Sequence, residues 1–159
     1  VLGVMRDDVP QKQLFLVLTL HKSMGLLVLA LVLCRIVWRL GDKAPRPLPT
    51  MPRWQIVSAE IVHWALYGLM LAVPVTGYLM SSFGHYPFPF FMQEAWPVPL
   101  VLDRNPALQE VFSEVHETLA WVMVGVLVAH IGAALYHHFV AKDAILARMT
   151  PFVRIPKRS

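Results

Sequence analysis

The sequence predicts an all-α membrane protein built as a helix bundle, and three observations carry that prediction. Of its 159 residues, 57% are hydrophobic and only 15% charged, with a mean hydropathy of +0.55, which is too apolar for a soluble domain of this length. Three apolar stretches, at about 14–38, 54–80 and 108–140, are each long enough to cross a hydrocarbon core, which needs roughly 20 residues. None of them shows the short, alternating polarity of a barrel strand.

The first stretch carries His21, Cys34 and Arg35. Cys34 is the single cysteine, so no disulfide framework can form, and there is no C-x-x-C-H run to attach a c-type haem covalently. The second stretch contains Pro74, which lacks an N–H and is expected to kink a helix whose neighbours satisfy the freed carbonyl. The third opens on Asn105 and Pro106, a good N-cap followed by proline at the first helical position. Between the second and third stretches, FGHYPFPFFMQEAWPVPLVLD at 83–103 has no helical period. Its prolines, with Tyr86, Trp96 and the phenylalanines, suit a lid lying across the water–lipid boundary. His85 in this loop has water within reach and is assigned no role. The opening VLGVMRDDVP does not read as a signal peptide and is expected to be the last turn of an earlier helix.

Basic residues orient the spans. The linker RLGDKAPRPLPTMPR holds Arg39, Lys43, Arg46 and Arg53, and the tail holds Lys142, Arg148, Arg154, Lys157 and Arg158, so the positive-inside rule makes both cytoplasmic. The opposite side carries Arg6, Lys12, Lys22 and Arg104 against Asp7, Asp8, Glu94, Asp103, Glu110, Glu114 and Glu117, four positive against seven negative, a formal balance of −3. The first and third spans then run inward and the second outward. That places the N-terminus outside, and with VLGVM it leads to the expectation of a preceding span. Membrane lipid is the expected surrounding; no nucleic-acid partner is expected, and a homo-oligomer is compatible with the sequence.

Histidines inside apolar helices need a physical account. The interval from His116 to His130 is roughly 21 Å of rise and about 40° short of four turns, so they share a face with one near each leaflet. His21, in the outer part of the parallel first span, lies at a depth similar to His116. Two helices each offering one imidazole at the same level can clamp a flat macrocycle edge-on, with an iron ligand from each. Four residues after each of these histidines comes a small residue, Gly25, Ala120 and Ala134, stacked on the same face where it leaves room for a porphyrin plane. Small residues also serve helix packing in lipid.

Arg35 follows His21 at the same interval as His130 follows His116, and so faces the bundle near the inner layer. There its guanidinium either pairs with a haem propionate or snorkels to the headgroups beside Arg39. Intramembrane histidines also act as interhelical hydrogen-bond donors. A zinc or copper site would need cysteine or carboxylate ligands at the same level, and two layers about 20 Å apart cannot share one ion. His137 is about 20° short of two turns beyond His130, on the same face near the cytoplasmic boundary. An imidazole titrating near neutrality suits a proton donor to a quinone carbonyl. His137 and His138 would equally well snorkel beside Lys142.

The runs H-K-S-M-G (21–25), Arg35 with W-R (38–39), H-W-A-L-Y (63–67), P-V-T-G (74–77), H-E-T-L-A (116–120), His130 and H-H-F-V-A-K-D-A-I-L-A-R-M (137–149) together resemble the bacterial cytochrome b561 family, in order and over nearly the whole chain. The resemblance implies a transmembrane four-helix bundle holding two non-covalent b haems, each with two histidine ligands. It further implies electron transfer between the quinone pool and a redox partner at the outer, periplasmic face; one member of the family oxidises superoxide with ubiquinone as acceptor. Carried over, His21 and His116 would ligate the outer haem and His130 one side of the inner haem. The fourth ligand sits on the family's first helix, so residues 1–159 are expected to form one transmembrane domain whose first helix is missing. His63 is a substitute ligand or a hydrogen-bonding residue of the bundle, with Glu60 as a partner.

The expected protein is an electron-transfer oxidoreductase of the bacterial inner membrane with its C-terminus in the cytoplasm. Two other readings stand beside it: a cytochrome b membrane anchor of a hydrogenase or dehydrogenase complex, and a non-haem proton or metal transporter using the intramembrane histidines and Glu60.

Overall fold

A computed structural model describes residues 10–42 and 52–141, which form three long helices and one short 3-10 turn. Helix α1 is Gln11–Gly41, α2 is Arg53–Phe83, the turn is Phe90–Met92, and α3 is Pro106–Phe139. All three helices are long and apolar enough to span a membrane. Most ends run a few residues past the apolar stretches, since an existing helix gains one backbone hydrogen bond for each residue added. Among the described residues there is no strand, only an isolated antiparallel bridge between Pro89 and Pro97. The expected earlier helix at 1–5, and Arg6, Asp7, Asp8, Lys43, Arg46, Lys142, Asp143, Arg148, Arg154, Lys157 and Arg158, lie outside the described residues.

Local chemistry explains the ends. Asn105 caps α3, its Oδ1 accepting from the Leu108 N–H at 3.1 Å, with Pro106 at the first helical position where its missing N–H is not needed. Helix α2 runs unbroken through Pro74. One turn is reinforced from the side: the Thr76 hydroxyl donates to the carbonyls of Ala72 at 2.8 Å and Val73 at 2.9 Å.

Helix α2 is the centre of the bundle. It packs against both α1 and α3, whereas α1 and α3 do not approach each other along their backbones among the described residues. The interior is small and polar rather than large and apolar: Thr19, Ser23, Thr76, Ser81 and Ser82 are buried, with Val32, Val73, Phe88 and Ala134. Large apolar side chains face outward, Leu40 at 85% and Trp38 at 76% exposed, where lipid covers them.

The connection from α2 to α3 folds back over one end of the bundle. Backbone hydrogen bonds hold it as a tight ribbon: Val98 N–H donates to the Phe88 carbonyl at 3.1 Å and Phe90 N–H to the Trp96 carbonyl at 2.9 Å. Side chains of the helices then fasten it. Ser23 Oγ accepts from the Phe91 N–H at 2.9 Å, Tyr78 OH donates to the Pro99 carbonyl at 2.7 Å, and Ser82 Oγ accepts from the Leu102 N–H at 3.2 Å. The expected lid is therefore an ordered cap on α1 and α2. It needs left-handed backbone at His85 (φ 53°), Phe91 (φ 47°) and Met92 (φ 64°), none of them glycine.

Candidate functional site: two imidazole pairs at two levels

The lid end of the bundle holds the first pair. His21 on α1 and His116 on α3 bring their rings to 6.1 Å between centroids, at an interplanar angle of 80°. An imidazole nitrogen binds a metal at about 2 Å, and a ring centroid lies roughly one ångström further back, so two imidazoles sharing one ion have centroids roughly 6 Å apart. These are the helices that otherwise stand apart, so the histidines meet across a gap. The gap continues into a partly open, mostly apolar pocket bordered by His21, Gly25, Gly77, Phe88 and His116. A Cβ added at Gly25 would meet nothing within 4 Å. The residues present fit a haem: two opposed imidazoles at the right separation, a space beside them, and an apolar surround.

His116 is held by α2. Its Nδ1 lies 2.9 Å from the Val73 carbonyl and 3.4 Å from Thr76 Oγ1. With Nδ1–H donating to a carbonyl, Nε2 is the nitrogen left with a lone pair for a metal.

A second pair lies deeper. His63 on α2 and His130 on α3 stand 5.4 Å apart between ring centroids, at 69°. Glu60 is the partner that the sequence suggests for His63; the ring neighbour in the structure is His130, across the interface between helices. Arg35 meets α2 nearby, its Nε donating to Tyr67 OH at 3.1 Å. Tyr67 is one helical turn from His63, so this contact lies about one turn from the imidazole pair.

The remaining candidates are distributed as follows. Ala134 is buried at 8% exposure and Ala120 is half-buried, both on α3. His137 is half-buried near the end of α3 with its ring edge-on to Tyr136 at 5.9 Å, and the Nδ1 of His138 is buried without a hydrogen-bond partner. Among the described residues no three His, Cys, Asp or Glu side chains form a metal-ligating cluster. The functional contacts are pairs, separated along α3 by the interval from His116 to His130, roughly 21 Å of rise.

Sequence reasoning passes over Gly77 and Tyr67, and it places His63 near the inner layer as a substitute ligand without setting its ring against His130. One signal for Gly77 and for the His63–His130 contact is present: the interval from His63 to Gly77 on α2 equals the interval from His116 to His130 on the antiparallel α3. One register therefore opposes Gly77 to His116 and His63 to His130.

Three apolar spans with imidazoles paired at two depths define a membrane b-type cytochrome. The chain belongs to the prokaryotic cytochrome b561 family, whose pattern it matches over residues 2–152. It is 37% identical over 131 residues to "Cytochrome b561 homolog 2" of Escherichia coli (strain K12), covering 82% of this chain and 68% of the relative. It is 30% identical over 131 residues to "Cytochrome b561 homolog 1" of the same organism, covering 82% and 73%. Against "Probable superoxide oxidase CybB" of Yersinia pestis the identity is 32% over 138 residues, 83% of this chain and 73% of the relative. The chain is thus a bacterial membrane cytochrome of the haem b class, acting in electron transport.

Proposed function

We propose that the protein is a di-haem cytochrome that moves electrons across the membrane between a redox partner at the lid end and a quinone near the opposite end. The observation that carries this reading is imidazole at two levels, the His21–His116 couple at the lid end and His130, with His63 beside it, deeper in the bundle. When bound, haem supplies one-electron chemistry at each level. The residues of the chain do the rest. His21 and His116 would hold the outer haem and His130 would contribute to holding the inner one, whose further ligand the family resemblance assigns to another helix of the bundle. Gly25, Ala120 and Ala134 clear room beside the imidazoles, and Arg35, steadied by Tyr67, pairs with a propionate. His137 delivers protons to the quinone, which takes up two electrons and two protons on reduction. The lid end is periplasmic and the C-terminus cytoplasmic, in keeping with the basic residues around Arg39 and Arg53.

Superoxide is the first outer partner to test, since a relative carries the name of a superoxide oxidase. Each superoxide would give up one electron and leave as dioxygen. A second reading is an anchor cytochrome that receives electrons from a docked protein of a hydrogenase or dehydrogenase complex. Glu94, Asp103, Glu110, Glu114 and Glu117 are all exposed at the lid end, a surface better suited to a basic protein face than to a small anion. A reduced-minus-oxidised spectrum of the purified protein, with haem counted per chain, tests the electron-transfer reading, and absence of haem ends it. Quinone reduction by superoxide alone separates the two partners, because the anchor reading gives none without the docked protein.

A further inference from the structure

Helix α2 is the middle of the bundle, and at one turn it does something more specific. We propose that the Val73–Gly77 turn of α2 is the seat that positions His116, choosing which ring nitrogen faces the iron and how the ring plane is turned. The inference rests on His116 being an iron ligand, as proposed above.

Three contacts converge on one imidazole. The Val73 carbonyl is 2.9 Å from Nδ1 and Thr76 Oγ1 is 3.4 Å from the same atom. The Thr76 hydroxyl donates to the Ala72 and Val73 carbonyls, so its lone pairs are turned toward an incoming N–H. The third contact is an absence of side chain. A Cβ built on Gly77 would stand 2.9 Å from Cε1, 3.1 Å from Nδ1 and 3.7 Å from Nε2 of His116. The imidazole edge between the two nitrogens therefore lies against bare backbone, and any residue other than glycine would push it away. Gly68 and Gly25 show that this is particular to position 77, since a Cβ at either meets nothing within 4 Å.

These contacts have a joint consequence. With Nδ1 engaged by α2, the ring rotates about neither bond freely, and Nε2 is left as the nitrogen with a lone pair for a metal. A ligand histidine that donates its other N–H to a carbonyl has a fixed tautomer and a more basic ligating nitrogen. A more basic ligand favours the ferric iron, so this turn of α2 lowers the reduction potential of the outer haem. Gly77, Thr76 and the Val73 carbonyl are positioning groups; they act through the ligand ring.

The test is a substitution series read by haem content, midpoint potential and the low-field EPR signal of the ferric haem, which reports the angle between the two ligand planes. Gly77→Ala displaces the movable partner, which is the ring itself, so the expected result is full haem content with a raised outer-haem potential and a shifted EPR signal. Gly68→Ala, the same change on the same helix, leaves both where they were. Should Gly77→Ala fail to accumulate, Thr76→Val carries the test: it removes the hydroxyl at constant shape and shifts the EPR signal, while Thr76→Ser, which keeps the hydroxyl, does not. Unchanged potential and EPR signal in the haem-loaded Gly77→Ala protein, or in Thr76→Val in its place, overturn the seat. His116→Ala tells the two failures apart: retention of both haems there refutes the ligand assignment, whereas loss of one haem there with silent α2 variants refutes only the seat.

Discussion

His63 and His130 face each other across α2 and α3 with ring centroids 5.4 Å apart, on helices that run antiparallel and from positions far apart in sequence. The half of the bundle away from the lid thus contains its own imidazole couple, about one helical turn from the Arg35–Tyr67 contact. Because the two rings touch, a change at either is felt by the other, and their roles separate by experiment. Replacing His130 by Ala is expected to remove the inner haem and leave the outer one, giving a single wave in a redox titration. Replacing His63 by Phe is expected to keep both haems and shift only the inner potential. Loss of a haem in His63→Phe would make His63 a ligand.

At the lid end, His21→Ala and His116→Ala are expected to have the same consequence, loss of the outer haem with the inner one kept, because each removes one of two opposed imidazoles. Haem per chain, measured on detergent-purified protein, is the readout. Different losses in the two variants would break the pairing.

Gly25 borders the cavity and has open space where its side chain would be. Leucine there improves the helix, since glycine is about 0.8–1.0 kcal/mol worse than alanine in a helix interior and leucine ranks near alanine. It also fills the cavity beside His21. Gly25→Leu is expected to lower outer-haem content severalfold while the protein inserts and accumulates normally. A helix-packing role alone would instead show as reduced accumulation.

Ser23 is fully buried, donates to the Thr19 carbonyl at 2.8 Å and accepts from the Phe91 N–H. Ser23→Ala leaves a backbone N–H of the lid without its partner, at a cost of about 1–3 kcal/mol. Faster protease cleavage within 84–105 checks this, with little change in the thermal stability of the helices.

Tyr67 OH accepts from Arg35 Nε. Tyr67→Phe frees the guanidinium from one fixed orientation without removing its charge, so it is expected to shift the inner-haem potential by less than Arg35→Leu does. Equal shifts would show that Tyr67 acts on the haem by another route.

The three spans were legible in the sequence to within a few residues, because helix in a membrane is dictated by run length and polarity alone. The cap at Asn105 was legible for a similar reason, being a matter of adjacent residues. The common level of His21 and His116 follows from the constant rise per residue along parallel helices. The lid was recognisable as a segment but not in its course, since Ser23, Tyr78 and Ser82 hold it through contacts between residues distant in sequence.

By itself, the sequence determined what each helix carries and at what depth: one imidazole per leaflet on α3, small residues one turn beyond each, and aromatic and proline residues at one end. The tertiary structure alone decided which residues of α2 lie against which residues of α3. Rise along a helix is a local quantity, whereas the azimuth and register of one helix against the next depend on the length and fastening of the loop between them. That loop set Gly77 against His116 and His63 against His130, while among the described residues the α1 and α3 backbones stay apart and His21 meets His116 across the gap.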